Sequence, residues 1–201
     1  VGNNIVVIDP VTGAMDESIV VGSQPNRLAI SRDGQALYVS FNGVNRISRI
    51  NLLTLKVDLD FSLGTDPFDG PNFVRGMEVL GEGSGTLAAW RSDRRLAIYD
   101  DGVPRSQVLY YPGGIDGLTS SPTTLYGSQY GKLLRFSVTS SGVSVANIGP
   151  PSSLSWDLFY DEGRIISAGK VFDPQTGLQV GEFRGNPVAV DRSVRYFFAY
   201  N

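Results

Sequence analysis

Short apolar runs broken by turn residues dominate this chain. Ile5-Val6-Val7-Ile8, Leu37-Tyr38-Val39, Leu96-Ala97-Ile98-Tyr99, Leu133-Leu134 and Val171-Phe172 are rich in aliphatic, β-branched and aromatic residues. Gly, Pro, Asn or Asp punctuate the stretches between such runs. The runs have strand length, and an apolar stripe at 3.6-residue spacing is nearly absent, so the pattern predicts an all-β chain.

The runs recur as two alternating units. One is strand, turn, strand, Gly. It falls near 5–22, 47–64, 96–113, 133–149 and 171–185, closing at Gly22, Gly64, Gly113, Gly149 and Gly185. Asp9-Pro10-Val11-Thr12-Gly13 and Asp173-Pro174-Gln175-Thr176-Gly177 supply its turn chemistry. Asp caps its own backbone, Pro presets φ, and Gly accepts a positive φ. The second unit lies between these: Leu28–Ser31 to Ala36–Ser40, Met77 to Trp90, Gly117 to Gly127, Trp156 to Ser167, and Val188 to Phe198. With strands a and b in the second unit and c and d in the first, each repeat of about 40 residues supplies four strands. Four-stranded sheets repeated radially are the blades of a β-propeller. A single domain spanning 1–201 is expected, with about five blade equivalents.

Residues 24–43 carry a more specific signature. Pro25, Leu28, Ser31, Asp33-Gly34 and Leu37-Tyr38-Val39 resemble the strand a and b stretch of the YVTN/YncE-type β-propeller repeat, as found in large secreted bacterial proteins. Ile8-Asp9 through Thr12-Gly13 resembles that family's c–d hairpin. The resemblance implies a propeller fold, an extracytoplasmic location (periplasm, cell surface or secreted), and no shared catalytic motif. Its members usually have about seven blades. This chain opens on strands c and d, without an initiating Met or a signal peptide. It is therefore expected to be an arc of a larger propeller, in preference to a closed five-blade ring.

Composition removes several chemistries. The 201 residues contain no Cys and no His. Disulfides, thiolate ligands, a Ser-His-Asp triad, imidazole zinc sites and His-ligated haem are excluded from this chain's own residues. A net charge of −3 gives no basic field for nucleic acid. No apolar run reaches the ~20 residues of a membrane-spanning helix, so no membrane insertion is expected. The densest carboxylate groups, Asp100-Asp101, Asp66/Asp69 and Asp157/Asp161, lack EF-hand spacing. No metal and no cofactor are expected. Gly81-x-Gly83-x-Gly85 lacks the Lys of a phosphate loop and reads as a turn.

In a propeller the d→a and b→c loops share one face, and function lives in such loops. The longest d→a connection runs from Thr65 to Arg75 and holds Phe68, Asp69 and Arg75. It is either a ligand-gripping loop or a rigid link whose Phe68 or Phe73 plugs the ring. Arg91, Arg94 and Arg95 cluster on a b→c connection, as a docking rim or as turn charge paired with Asp93. Tyr38, Tyr99, Tyr126, Trp90, Trp156, Tyr196 and Phe197 fit packing between blades, whereas Tyr110-Tyr111 and Tyr130 are candidates for contact.

The leading expectation is a non-enzymatic scaffold that binds a protein or other ligand through Phe68, Asp69, Arg75, Arg94, Tyr130 and Trp156. One alternative is an extrinsic subunit of a larger membrane or surface assembly, with edge strands at Ile5–Asp9 or Tyr196–Tyr200 pairing with a neighbour. Another is a carbohydrate-active enzyme using Asp116 and Asp157, since paired carboxylates at about 5–10 Å can hydrolyse glycosides.

Overall fold

A computed structural model describes residues 2–9, 11–42, 44–183, 186–191 and 196–200. Pro10, Gly43 and the side chains of Tyr196 and Phe197 lie outside the described part. No helix occurs among the described residues; every regular element is a strand. The chain divides into two compact units, Val1–Pro104 and Arg105–Asn201.

The first unit opens with β1 (Asn4–Ile8) paired to β2 (Met15–Val20). Next comes an antiparallel sheet in the order β3 (Pro25–Ile30), β4 (Ala36–Phe41), β5 (Arg46–Asn51), β6 (Lys56–Ser62). A two-residue ladder, β7 (Thr65–Asp66) with β8 (Gly70–Pro71), leads into another sheet. That sheet contains β9 (Val74–Val79), β10 (Thr86–Arg91), β11 (Arg95–Asp100) and β12 (Val103–Pro104), in the order β12-β11-β10-β9.

Burial explains why these strands read as they do. The inner strands β10 and β11 bury Leu87 to Trp90 and Leu96 to Tyr99 without a break. They are covered on both faces, so their sequences are continuous apolar runs with no polar alternation. Strand β6 has one wet face and alternates accordingly. Aromatics join successive sheets. Phe61 of β6 meets Tyr99 of β11 with ring centroids 5.1 Å apart, and the Tyr38 hydroxyl donates to Ser84 O at 2.6 Å. Ile19 and Val21 close a core with Val39, Phe41 and Ile50, against which Ile5 and Val7 pack. Each such side chain, fully buried, stabilises the fold by about 1.5–3 kcal/mol relative to exposure.

The second unit contains β13 (Leu109–Tyr110) and two further sheets. One is β14 (Gly117–Ser120), β15 (Leu125–Gln129), β16 (Lys132–Thr139), β17 (Gly142–Pro151) in that order. The other is β18 (Phe159–Asp161), β19 (Arg164–Ser167), β20 (Lys170–Phe172), β21 (Gln179–Glu182), also in order. A pair, β22 (Asn186–Asp191) with β23 (Tyr196–Tyr200), ends the unit. Tyr126 and Leu133 pack against Leu154, Leu158, Ile165 and Phe172, and Tyr126 stacks on Tyr160 at 5.9 Å.

Both Asp-Pro-x-Thr-Gly turns close in the same way. Asp9 accepts from the Val11 N–H at 2.8 Å, and Asp173 accepts from the Thr176 N–H at 2.8 Å. The Gly13 and Gly177 N–H groups donate back to Asp9 O and Asp173 O, each at 2.8 Å.

Candidate functional site

Up-and-down pairing fixes which loops share an end. In β3–β6 and β9–β12 the first strand runs away from the d→a loop, and the second returns to the b→c loop. Ser62, Val74, Arg91 and Arg95 therefore stand at one end of the first unit. Asp33, Lys56 and Asp100 stand at the other.

Hydrogen bonds tie the loops of the first end together. Asn45 Nδ2 donates to Gly64 O at 3.2 Å and Thr65 Oγ1 at 3.3 Å, joining the b→c loop of one sheet to the following d→a loop. Buried Asn72 donates its N–H to Gly64 O and its Nδ2 to Leu63 O, pinning the loop's second half onto its first. The Phe73 N–H donates to Ser92 Oγ at 3.1 Å, and the Ser92 N–H returns a bond to Phe73 O at 2.9 Å. Arg95 Nη1 lies 3.0 Å from Asp93 Oδ2 and 3.9 Å from Asp66 Oδ2, spanning the b→c and d→a loops.

Asp66 then shapes the tip. Its Oδ1 accepts from the Phe68 N–H at 2.9 Å and the Asp69 N–H at 3.1 Å, an Asx-type cap between β7 and β8. The turn holds Phe68 at 96% exposure, with Asp69 exposed beside it. Phe68 therefore plugs nothing. Phe73 is half-buried instead, with the Arg75 guanidinium 5.5 Å from its ring centroid.

The three arginines of the b→c loop take different roles. Arg91 forms an ion pair with Asp93 and donates to the Tyr99 hydroxyl at 3.3 Å. Arg95 shares the same carboxylate. Burial opposes charge on Asp93, but the Arg91 guanidinium, with Arg95 behind it, outweighs burial and holds the carboxyl below its usual range. Arg94 stands apart. It is exposed at φ +59°, and its side chain has no partner among the described residues. Phe68, Asp69, Arg75 and Arg94 thus share one end of the first unit. The opposite end is acidic: Asp9, Asp33, Asp58, Asp100 and Asp101 gather there, and Arg49 bridges Asp58 at 3.0 Å and Asp101 at 2.6 Å.

The second unit builds a loop end of its own. Tyr130 sits at φ +47° in the β15–β16 turn and is 78% exposed. Its N–H donates to Asp116 Oδ2 at 3.0 Å. The neighbouring Gly131 O accepts from the Ser152 N–H at 2.9 Å and the Ser152 hydroxyl at 2.6 Å. That bond fixes the start of the d→a loop bearing Trp156, which is 73% exposed. Trp156 thus departs from the expected packing between blades, whereas Tyr38, Trp90, Tyr99 and Tyr126 are buried. Asp157 accepts from the Ser167 hydroxyl and the Ala168 N–H, both at 3.4 Å. Asp116 and Asp157 therefore both brace loops.

One recurring device escaped the sequence reading. Ser40, Ser92 and Ser167 lie within one residue of the end of strand b in the β3–β6, β9–β12 and β18–β21 sheets. Their hydroxyls accept from backbone N–H groups in strand a or in the connection that leads into it: Arg27 at 3.2 Å, Phe73 at 3.1 Å and Ser155 at 2.8 Å. The signal was a Ser recurring once per repeat. Among the described residues, no group of three or more His, Cys, Asp or Glu side chains could hold a metal ion.

Neither a family model nor a curated protein matches the chain. Solved structures do. Dihydro-heme d1 dehydrogenase NirN, solved in complex with DHE, is similar with a TM-score of 0.61 at 15% identity, over 92% of this chain and 43% of that one. Kuenenia stuttgartiensis hydrazine synthase is similar with a TM-score of 0.63 at 16% identity, over 98% of this chain and 67% of that one. This chain thus spans less than half of the dehydrogenase structure. Identities this low speak to fold alone. Successive four-stranded antiparallel sheets, together with this likeness, identify the fold as a β-propeller.

Proposed function

We propose that this chain is a non-enzymatic interaction platform that binds a protein partner through the loop ends of its propeller sheets, outside the cytoplasm. The observation that carries the reading is Phe68. A large apolar side chain held at 96% exposure on a hydrogen-bonded loop contributes nothing to the core and is ready for contact. Exposed Tyr130 and Trp156 support the same reading in the second unit. The location and the YVTN/YncE repeat type rest on the resemblance of residues 24–43.

A second reading makes the chain an extrinsic part of a larger assembly. The dehydrogenase and synthase names of the neighbours transfer no reaction at 15–16% identity. The glycosidase reading is weakened by the loop-bracing bonds of Asp116 and Asp157.

The test compares partner binding by the wild type with that of a Phe68→Ser, Arg94→Glu, Trp156→Ala triple variant. All three side chains are exposed, so the melting temperature is expected to hold while affinity falls. Unchanged affinity in a folded triple variant defeats the proposal.

A further inference from the structure

We infer that the loop end of the first unit receives an acidic protein segment carrying an apolar side chain beside its carboxylates. The inference rests on the platform reading and names the chemistry of the partner.

Charge is sorted against the net balance of the chain. The whole sequence carries −3, yet the loop end of the first unit gathers Arg27, Arg46, Arg75, Arg91, Arg94 and Arg95. Internal carboxylates neutralise part of this set: Asp93 serves Arg91 and Arg95, and Asp60 lies 3.8 Å from Arg46. Arg27, Arg75 and Arg94 are exposed and pair with no carboxylate among the described residues. Arg27 and Arg75 lie near the starts of β3 and β9, strands that pack beside each other. Arg94 tips the next b→c loop, one residue from the Arg95 that reaches toward Asp66. Asp66 in turn caps Phe68. Unpaired guanidinium groups and a fully presented phenyl ring thus share one end.

Each part favours the same occupant. A guanidinium fork binds a carboxylate bidentately, where an ammonium acts as a point charge. Phe68 gives apolar area at low entropy cost, because its turn is already fixed. Arg94 occupies a left-handed backbone position where Gly is the default. A membrane surface is a poorer fit. Polybasic lipid sites use about 4–8 clustered cations, whereas Arg27, Arg75 and Arg94 are the exposed cations left without a carboxylate among the described residues at this end.

The experiment pans the full chain against a random peptide library and measures enriched peptides by fluorescence anisotropy. Heparin and phosphatidylserine vesicles serve as rival probes. Enriched peptides are expected to place Asp or Glu next to Leu, Ile, Phe or Trp. Phe68→Ser, and separately the triple reversal Arg27→Glu, Arg75→Glu, Arg94→Glu, should each weaken binding by roughly tenfold or more. Leu53→Asp, on the exposed turn at the opposite end, should leave it unchanged. If the triple reversal unfolds, Arg94→Glu alone carries the test. Neutral or basic peptides that still require Phe68 overturn this inference and leave the platform reading standing. Peptides lost with Leu53→Asp but kept with Phe68→Ser overturn both. Absence of any enriched peptide, or tighter binding to heparin or vesicles, overturns the inference.

Discussion

The Phe73 N–H donates to the Ser92 hydroxyl at 3.1 Å while the Ser92 N–H donates to Phe73 O at 2.9 Å, so a b→c loop and the residue before strand a hold each other. Ser40 with Arg27 and Ser167 with Ser155 repeat the hydroxyl half of this clasp. Ser40 and Ser167 are fully buried, so removal of either hydroxyl breaks a partly buried bond to a backbone N–H. Ser40→Ala and Ser167→Ala are each expected to cost about 1–2 kcal/mol in denaturant unfolding, with an unchanged m-value. Ser128 is the internal control. It is equally buried, but its hydroxyl has no partner among the described residues. Ser128→Ala should stay within about 0.5 kcal/mol of wild type. Equal costs at all three positions would remove the clasp as a source of stability.

Acid should weaken the fold through carboxylates that are satisfied only when folded. Asp93 sits below its usual range because its two arginines outweigh burial. Asp9 is lowered first by the Val11 N–H, Asp33 by the Ser31 hydroxyl, and Asp173 by the Thr176 N–H. A depressed folded pKa contributes stability above the unfolded value of about 3.9, and that stability is lost as pH falls through the folded pKa. Unfolding free energy is therefore expected to hold from neutral pH to about 4 and to fall below it. Asp93→Asn should lower stability by about 2 kcal/mol at pH 7, because Arg91 loses its charge partner, and should shrink the acid-dependent part. A variant with the wild-type pH profile would contradict this.

Arg94 and Tyr130 hold left-handed backbone positions, at φ +59° and +47°. Arg94→Gly and Tyr130→Gly relieve that strain at the cost of a looser unfolded chain. Thermal melts are expected to show stability unchanged or raised by up to about 1 kcal/mol. Binding should fall in the same variants, which separates contact from folding. A drop in stability would assign these side chains a structural role.

Gly131 tests how tightly the second loop end is built. It takes φ +74°, and a Cβ there would run into the carbonyl of Ser152. Gly131→Ala should cost at least about 1 kcal/mol and shift the loop that carries Trp156. The sequence has two tryptophans, and Trp90 is buried. In a Trp90→Phe background, Trp156 reports alone. Its emission should be that of a solvated indole, freely quenched by acrylamide, and should change when Gly131→Ala is added.

Much of the fold was legible because it is local. Strand-length apolar runs, Asp-Pro-x-Thr-Gly turns and the four-strand period each follow from nearby residues. The double burial of Leu87–Trp90 and Leu96–Tyr99 shows directly as unbroken apolar sequence. The candidate surface was less legible. The pairing of Asp93 with Arg91 and Arg95 lies within two residues and is legible in the sequence. Arg95 near Asp66, Ser92 with Phe73 and Ser167 with Ser155 span 12 to 29 positions, and only the sheet brings them together. Trp156 misled because its spacing matches the packed aromatics, while its backbone runs through a d→a loop.

The most direct measurement places a photo-crosslinking side chain at position 68, 156 or 53 in the otherwise native chain and compares partner capture. Positions 68 and 156 stand on loop ends, and Leu53 is an equally exposed apolar site on the opposite turn of the first unit. Capture at 68 or 156, with none at 53 and competition by unlabelled wild type, is the expected result. Capture at 53 with none at 68 or 156 would contradict loop-end binding.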